Sequence, residues 1–382
     1  MDRSFPANAL TTDPPVCARP AWVGVTRAAE AVRLPLKVVL HAGPPFRDAT
    51  RPSPPVLSST VLACRHEGWA DTDAEAEALV ASGDVILAPA QHFGVVTPLA
   101  EVVTSSTPLT RIADLAEPPG AAWAPLPSGN GPQLRFGTRN EAVLDRLAWR
   151  DRVLAPTLEA ALRDPIDLIE PARVALAAGE DLHWTTTAAT ASLAQKLESR
   201  LPRDGAGQEI RAMLAASPLF FLTLWMAACR TMLLALAEGT PSVLLGLAGN
   251  GEDVGLLPGD DPMAWTVVPG AAPEGTRLDP AGTAPVSPMI GDSGVIDLAG
   301  FGGQREPEAR ASRWLELPHV RLGASVGLDL RTVVHNNALP RVHIGMIGAD
   351  GRAGLLGRGT YRPPLSLFRT AMTDAIARTT PM

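Results

Sequence analysis

The sequence predicts a mixed α+β protein in which two α/β portions flank a helical middle domain built on one long buried helix. Three observations carry this. The run Ser217–Gly239, SPLFFLTLWMAACRTMLLALAEG, contains only helix-compatible residues, with Arg230 and Glu238 its sole charges. The segments between Thr138 and that run all read as helix, with apolar residues recurring at helical spacing. On either side, short apolar runs of strand type alternate with helical stretches and Gly/Pro turns. The boundaries expected are an N-terminal arm over 1–35, an α/β domain over 36–137, the helical domain over 138–239, and an α/β domain over 240–382 that ends in a hairpin and a helix.

The long run opens on Ser217 as N-cap and Pro218 at the first helical position, and closes at Gly239, where a left-handed cap suits glycine. At about 1.5 Å per residue it reaches ~30 Å, the width of a domain or of a bilayer. A helix that is apolar all round must be buried in something. Arg230 lies in its second half, where hydrocarbon would penalise a charge by a few kcal/mol. No second run of this length exists, and no basic cluster flanks it. The reading is therefore the core helix of a domain and no membrane partner. Arg230 is then either a snorkelling edge residue or a buried cation aimed at an anion.

The 382 residues and 46% hydrophobic content are enough for a large core. A net charge of −7 with scattered signs gives no basic stripe, which excludes nucleic acid as an expected partner. Cys17, Cys64 and Cys229 are odd in number and far apart, so neither a disulfide framework nor a metal spacing is present. The N-terminus lacks a hydrophobic signal core. A reducing cytoplasm follows as the expected location, with no cofactor, no metal and a homo-oligomer as the default assembly.

In chain order, the Pro-rich arm carries a short helical piece around Ala21–Val32. Lys37–Ala42 and Asp84–Pro89 are buried-type strands. Thr72-Asp73-Ala74-Glu75 is a capping box for a helix that stops at Ser82-Gly83, and Thr138-x-x-Glu141 is a second one. Val95–Thr104 reads as a strand broken by Pro98, Ile112–Pro132 as loop, and Leu134–Gly137 as short and extended. Helices follow over Thr157–Arg163, Asp167–Ala178, Thr187–Leu201 and Gln208–Ala216. Beyond the long helix, Ser242–Leu247, Trp265–Val268 and Val295–Ala299 read as strands. Arg305–Ala311 is polar and exposed. Arg341–Ile347 and Ala353–Gly357 flank Asp350-Gly351 as a hairpin, and Pro364–Arg378 is the last helix.

No Walker A, HExxH, CxxC or GxSxG motif occurs. Gly249-x-Gly251-x-x-x-Gly255 misses dinucleotide spacing by one residue. What remains is a set of polar residues in glycine-rich turns at strand ends, where α/β proteins place ligands. His41, His92 and Asp292 are the catalytic candidates. Gly43, Arg135, Gly137, Asn250, Gly251 and Ser293 are the candidates for binding an anionic small molecule, because glycine amides approach an anion closely and Arg clamps it in a bidentate way. Each has a structural alternative: a histidine bonding a loop carbonyl, an Asp capping its own turn, an Arg paired with Glu141 or Asp145. His343 reads as structural. Glu180-Asp181-x-His183 lacks further ligands at metal spacing.

Seven segments occur in one order: Leu40–Pro45 (LHAGPP), Leu134–Gly137 (LRFG) with Arg146–Trp149 (RLAW), Gly179–His183 (GEDLH), Phe220–Ala228 (FFLTLWMAA), Gly249–Gly251 (GNG), Gly291–Gly303 (GDSGVIDLAGFGG) and the tail from Gly327 to Pro364. Together they resemble the YlbE/YahG-like bacterial family, a domain-of-unknown-function family, over roughly residues 20–378. The resemblance implies a three-part α+β protein with a helical middle. One branch of that family is associated with oxamate carbamoyltransferase, which exchanges a carbamoyl group between oxalurate and phosphate, giving oxamate and carbamoyl phosphate, beside companion subunits. Three places depart from the family pattern. Arg51-Pro52-Ser53-Pro54-Pro55 stands for a Cys-Gly-Pro segment, His183-Trp184-Thr185-Thr186 for an Asn-Arg-Asn run, and Gly249 for an Arg.

The resemblance implies a carbamoyltransferase-like enzyme for a small carboxylate or amide (oxamate or oxalurate-like) with carbamoyl phosphate or phosphate. Arg135 and glycine amides would hold the anion, and His41 or His92 would move the proton. The alternatives are a non-catalytic binding or scaffolding subunit of a multi-subunit carbamoyltransferase, and a hydrolase of ureido or amide compounds.

Overall fold

A computed structural model describes residues 18–115, 120–239, 242–305, 330–337 and 339–379. The Pro-rich leader through Cys17, the polar stretch Glu306–Ala311 and the Gly327–Asp329 end of the tail segment lie outside the described residues. The fold is mixed α+β.

The chain enters as strand β1 (Pro20–Arg27), followed by one turn of helix, α1 (Ala28–Ala31). A helix was expected over Ala21–Val32. Trp22, Val25 and their neighbours instead pair antiparallel with β4 (Pro108–Asp114), with a register shift between Trp22 and Gly24. The expected loop over Ile112–Pro132 likewise contains part of β4 and all of β5 (Ala121–Pro125). With the two-residue β6 (Ile166–Asp167) they form a sheet in the order β5-β4-β1-β6.

Strands β2 (Val38–His41) and β3 (Ile86–Pro89) are a parallel pair. Between them run α2 (Pro54–His66) and α3 (Asp73–Ser82). The Thr72/Glu75 capping box is complete, and Gly83 closes α3 at φ 79° in the left-handed region. The second expected capping box is absent. Helix α4 (Ala142–Trp149) has no side-chain cap from Thr138, and Glu141 reaches Arg65 instead. Val95–Thr104 makes only isolated bridges to Trp123 and Leu40. Leu134–Phe136 is a 3₁₀ turn, not extended.

After α4 the chain widens into one π-helical turn, Arg150–Leu154, and continues through α5 (Ala155–Ala161), α6 (Ile169–Ala177), α7 (Thr187–Glu198) and α8 (Gly205–Ala215). The long helix is α9 (Phe220–Gly239). Its start is capped from outside: Thr190 Oγ1 accepts from Phe221 N at 3.1 Å, while Ser217 Oγ accepts from Asn130 N at 2.9 Å. Helix α9 packs against β1, β4 and β5 and also against β7 (Leu244–Asn250), a strand of another sheet. Of its most apolar stretch, Phe220–Ala237, 83% is buried inside the protein, so its length and composition are accounted for by the core.

Strand β7 pairs with β8 (Asp253–Pro258), which pairs with β9 (Thr266–Pro269). The sheet order is β11-β7-β8-β9, with β11 (Ile290–Gly291) at the edge. Val295–Ala299, expected as a strand, belongs to the short helix α10 (Gly294–Leu298). A short apolar run does not distinguish the two without its surroundings. The expected hairpin about Asp350-Gly351 is present as β12 (Val342–Ile347) and β13 (Leu355–Tyr361), extended by β10 (Glu274–Arg277). Helices α11 (Leu330–Asn336) and α12 (Leu365–Thr379) complete the described chain.

Candidate functional site

The loop leaving β2 is held so closely to the β7 end that only backbone fits between them. Gly43 has φ +79°, and a Cβ there would stand 2.4 Å from the Gly249 carbonyl carbon. Both facts exclude a side chain. Asn250 ties the two segments from the other direction. Its Nδ2 donates to Pro44 O at 3.0 Å, while its Oδ1 accepts from Glu252 N and Asp253 N at 2.9 and 2.8 Å. Gly251 (φ +88°) turns beside Ser53, whose hydroxyl donates to Asn250 O at 2.7 Å.

Asp292 is the centre of this junction and is fully buried. Its Oδ1 accepts from Gly43 N (3.0 Å) and Gln91 Nε2 (2.9 Å), and its Oδ2 accepts from Thr97 N (2.8 Å) and Thr97 Oγ1 (3.1 Å). Burial pushes its carboxyl above the usual range, and the bonds from Gln91, Gly43 and Thr97 pull it back. Arg230 on α9 is also buried and feels the Asp292 charge through space. Burial lowers the guanidinium to about 10, and the Asp292 charge opposes that shift. Arg230 Nη1 donates to Leu245 O on β7. Arg230 is 2% exposed, so it does not snorkel. Ser293 is buried beside Asp292 at the start of α10.

His41, at the end of β2, is 1% exposed, and its ring centroid lies 4.6 Å from that of Phe46. Nδ1 is 2.8 Å from Ala42 O. A carbonyl can only accept, so Nδ1 carries the proton and Nε2 presents a lone pair. That Nε2 is buried and without a partner among the described residues. Burial lowers His41 to about 4, the Ala42 bond raises it, and proximity to His92 lowers it. His92, in the 3₁₀ turn Ala90–Phe93, is half-buried, and its Nε2 too has no partner among the described residues. Its pKa too is lowered by burial, against a bond to the Met263 backbone and the charge of Asp261. Trp265 lies 6.5 Å from the His92 ring and also lines an open cleft of about 420 Å³ with Pro45, Arg47, Asp253 and Met263. Arg47 Nε donates to Asp253 Oδ2 at 2.9 Å across the cleft mouth.

Arg135 reaches the junction through the segment Thr97–Glu101. Thr97 holds Asp292, Leu99 has φ +50°, and Ala100 N donates to Arg135 O at 3.0 Å. Leu99 backbone occupies the space that a Cβ on Gly291 would need, 2.8 Å from its N. The Arg135 guanidinium lies 5.0 Å from the Phe136 ring, and its Nε is buried without a partner among the described residues. The expected alternatives, pairing with Glu141 or Asp145, do not occur among the described residues. Gly137 (φ +62°) packs on Pro55 at the start of α2, whose Ser59 hydroxyl donates to Leu134 O at 2.7 Å.

A second polar cluster was not expected. It joins the GEDLH segment, α10 and β12. His343 Nδ1 meets Asp181 Oδ2 at 2.9 Å, and the His343 ring stacks on Trp184 at 3.6 Å and 7°. Burial would raise Asp181, but the bonds from His343, Trp184 N and Thr185 N hold it well below the usual carboxylate range. His183 Nδ1 and Asp297 Oδ2 stand 2.9 Å apart, though off line, so neither atom has a hydrogen-bond partner. The signal available in the sequence was that each of the three segments carries an acid or a histidine. Among the described residues no group of three or more His, Cys, Asp or Glu is arranged to hold a metal ion.

Comparison with known proteins places this geometry in a family. The family model for oxamate carbamoyltransferase subunit AllG matches residues 85–293. The oxamate carbamoyltransferase subunit AllG of Escherichia coli (strain K12) is 29% identical over a 409-residue alignment covering 97% of each chain. The Escherichia coli protein named uncharacterized protein YahG is 26% identical, over 97% of this chain and 86% of its own. A crystal structure of a conserved protein of unknown function from Enterococcus faecalis V583 superposes with a TM-score of 0.85 at 23% identity, covering 95% of both chains, which bears on the fold. Since the family model spans more than half of its length, the chain belongs to the oxamate carbamoyltransferase subunit AllG family, which also takes in YahG-like proteins.

Proposed function

We propose that the chain is the substrate-binding, proton-handling subunit of a carbamoyltransferase. It would act on a small carboxylate-amide of oxamate or oxalurate type, with phosphate or carbamoyl phosphate as the other reactant. In the direction of carbamoyl phosphate formation, the ureido C–N bond breaks, a C–O bond to phosphate forms, and the nitrogen released as oxamate takes up a proton. In reverse, the amide nitrogen attacks the carbamoyl carbon and loses that proton as phosphate leaves. The observation that carries the reading is His41 Nε2: a buried, unpartnered lone pair whose tautomer is fixed by Ala42. A neutral imidazole there is suited to accept hydrogen from an amide N–H. Arg135 provides the anion contact in this reading, and His92 the second imidazole. The reading carries with it companion subunits, a cytoplasmic location and a homo-oligomer.

A second reading, a binding or scaffolding subunit without chemistry of its own, is favoured by one observation. Asp292 accepts four hydrogen bonds from the loops around it, and Asn250 uses its amide oxygen and one amide hydrogen in the same way, so both serve to hold loops together. Both readings meet one experiment. The purified chain, alone and with its companion subunits, is given carbamoyl phosphate and oxamate, and phosphate and oxalurate are measured. Turnover with companions that falls about 100-fold or more in His41→Gln, in line with loss of a general base, supports the first reading. Turnover indifferent to that change supports the second. Ammonia release from ureido substrates without phosphate would identify a hydrolase.

A further inference from the structure

The helical middle of the chain holds a second cleft, of about 580 Å³, that the reading above does not use. Helix α5 gives it a wall of small side chains at Pro156 and Ala160, the link after α7 adds Arg200 and Pro202, and the bend after α5 adds Arg163 and Asp164. The two cations are tied to one place. Arg200 Nη1 donates to Asp164 O at 2.6 Å, so its guanidinium lies against the backbone of the residue next to Arg163. That bond spends a donor on a carbonyl and leaves the positive charge without a carboxylate. Glu198, two residues before Arg200, is taken by Arg211 at 2.8 Å. Arg163 is exposed, and among the described residues neither it nor the Asp164 carboxylate has a hydrogen bond or an ion pair. Elsewhere the arginines are matched: Arg47 with Asp253, Arg65 with Glu141, Arg139 with Glu77, Arg378 with Asp260. In a chain of net charge −7, two unmatched guanidinium groups lining one cleft stand out.

We propose that this cleft binds a small hydroxyl-bearing phosphate ester, with the phosphoryl group on Arg163 and Arg200 and a hydroxyl on Asp164. Forked guanidinium donors match the oxygens of a phosphoryl group, and two of them carry the charge to balance it. The volume is that of a site for an organic molecule and exceeds what an inorganic ion fills. Pro156, Ala160 and Pro202 give the carbon body an apolar wall. Asp164 decides between ligands. Its carboxylate repels a bare anion, yet it accepts a hydrogen bond from a hydroxyl. A ligand anionic at one end and hydroxylated at the other satisfies all three charged residues, and inorganic phosphate satisfies two while facing the third. Binding is non-covalent and moves no proton. None of these residues belongs to the junction of His41, Asp292 and Arg135, so the inference goes beyond the carbamoyl-transfer reading and does not rest on it.

The test is isothermal titration of the full chain with ribose 5-phosphate, with inorganic phosphate and ribose as competitors. We expect saturable binding that weakens as KCl is raised, weak competition by phosphate and none by ribose. Arg163→Gln and Arg200→Gln should each lower the affinity about tenfold or more, as loss of a charge-assisted contact does, and Arg163→Lys should recover part of it. Asp164→Asn should act with opposite signs on the two anions: ribose 5-phosphate binds more weakly, whereas inorganic phosphate competes better. A general change in surface charge would strengthen both. Arg135→Gln, outside the cleft, should leave ribose 5-phosphate binding unchanged. Absence of saturable binding, binding that survives both glutamine variants, or binding lost in Arg135→Gln would each overturn the proposal. So would an Asp164→Asn variant that binds both anions more tightly, since the hydroxyl contact would then not exist. The competition order is read on the unmodified chain and needs no variant to fold.

Discussion

At the scale of single residues, the chemistry is set by what burial denies each group. His41 is held neutral because burial disfavours its charge more than the Ala42 bond favours it, and proximity to His92 acts in the same direction as burial; its Nε2 has no partner among the described residues. This makes a stability prediction with a definite sign. The unfolded chain protonates His41 near its ordinary value of 6.5, and the folded chain only near 4. Between those values the unfolded state binds more protons, so the native state loses stability as pH falls through that window, by about 3 kcal/mol in all from this group. Above 6.5 the group contributes no slope. His41→Gln should therefore flatten the fall in Tm between pH 6.5 and pH 4 while lowering turnover at pH 7. An unchanged slope would show that His41 is not held neutral. Glu101 carries the opposite sign. Its folded carboxyl holds a proton that the unfolded chain has already lost, so stability falls as pH rises from the ordinary value of 4.5 to about 7. Glu101→Gln should raise Tm at pH 8 more than at pH 5.

At the scale of elements, local signals were legible and non-local ones were not. The capping box at Thr72, the Asp350-Gly351 hairpin and the apolar runs that become β2 and β3 are encoded within a few residues of where they form, although the parallel pairing of those two strands is not. Strand β1 is not, because PAWVGVTR becomes a strand by pairing with β4, some ninety residues on. The second capping box was lost to a distant partner, Arg65, which takes the carboxylate of Glu141. The same division holds at the candidate site. Gly43, Asn250, Gly251 and Asp292 stood out as glycine-bordered turns, whereas Glu101, Asp297 and His343 owe their surroundings to segments far away in sequence. Helix α9 shows the middle case. Its length and burial follow from composition, but its cap does not: Thr190 of α7 supplies the oxygen for Phe221 N and also donates to Pro218 O at 3.0 Å. Thr190→Val keeps the shape and removes both bonds, so it should cost about 1–2 kcal/mol in urea unfolding with an unchanged m-value. A neutral result would mean that water replaces the hydroxyl at a buried helix start.

At the scale of the whole molecule, Asp292 joins parts that otherwise belong to separate cores. Gly43 comes from the loop after β2, Gln91 and Thr97 from the segment after β3, and Arg230 from the long helix. Gly249 cannot carry a side chain here, because a Cβ would meet Met289 O at 2.1 Å. Ser53 Oγ donates to Asn250 O. The junction is thus a closed set of contacts, and a substitution at its centre should be felt at all its ends. Asp292→Asn supplies one acceptor oxygen and an amide donor where four donor hydrogens converge on two carboxylate oxygens. Leaving a buried donor without its acceptor costs about 1–3 kcal/mol. The specific expectation concerns where the loss appears. In hydrogen exchange, the amides of Gly43 and Thr97, which both donate to Asp292, should lose protection together in Asp292→Asn. Oxamate binding at Arg135, as proposed, should weaken with them, because the segment that begins at Thr97 donates from Ala100 N to Arg135 O. Loss of protection at Gly43 alone, with anion binding intact, would show that the two sides of the junction are independent, and that the histidines and the arginines serve different sites.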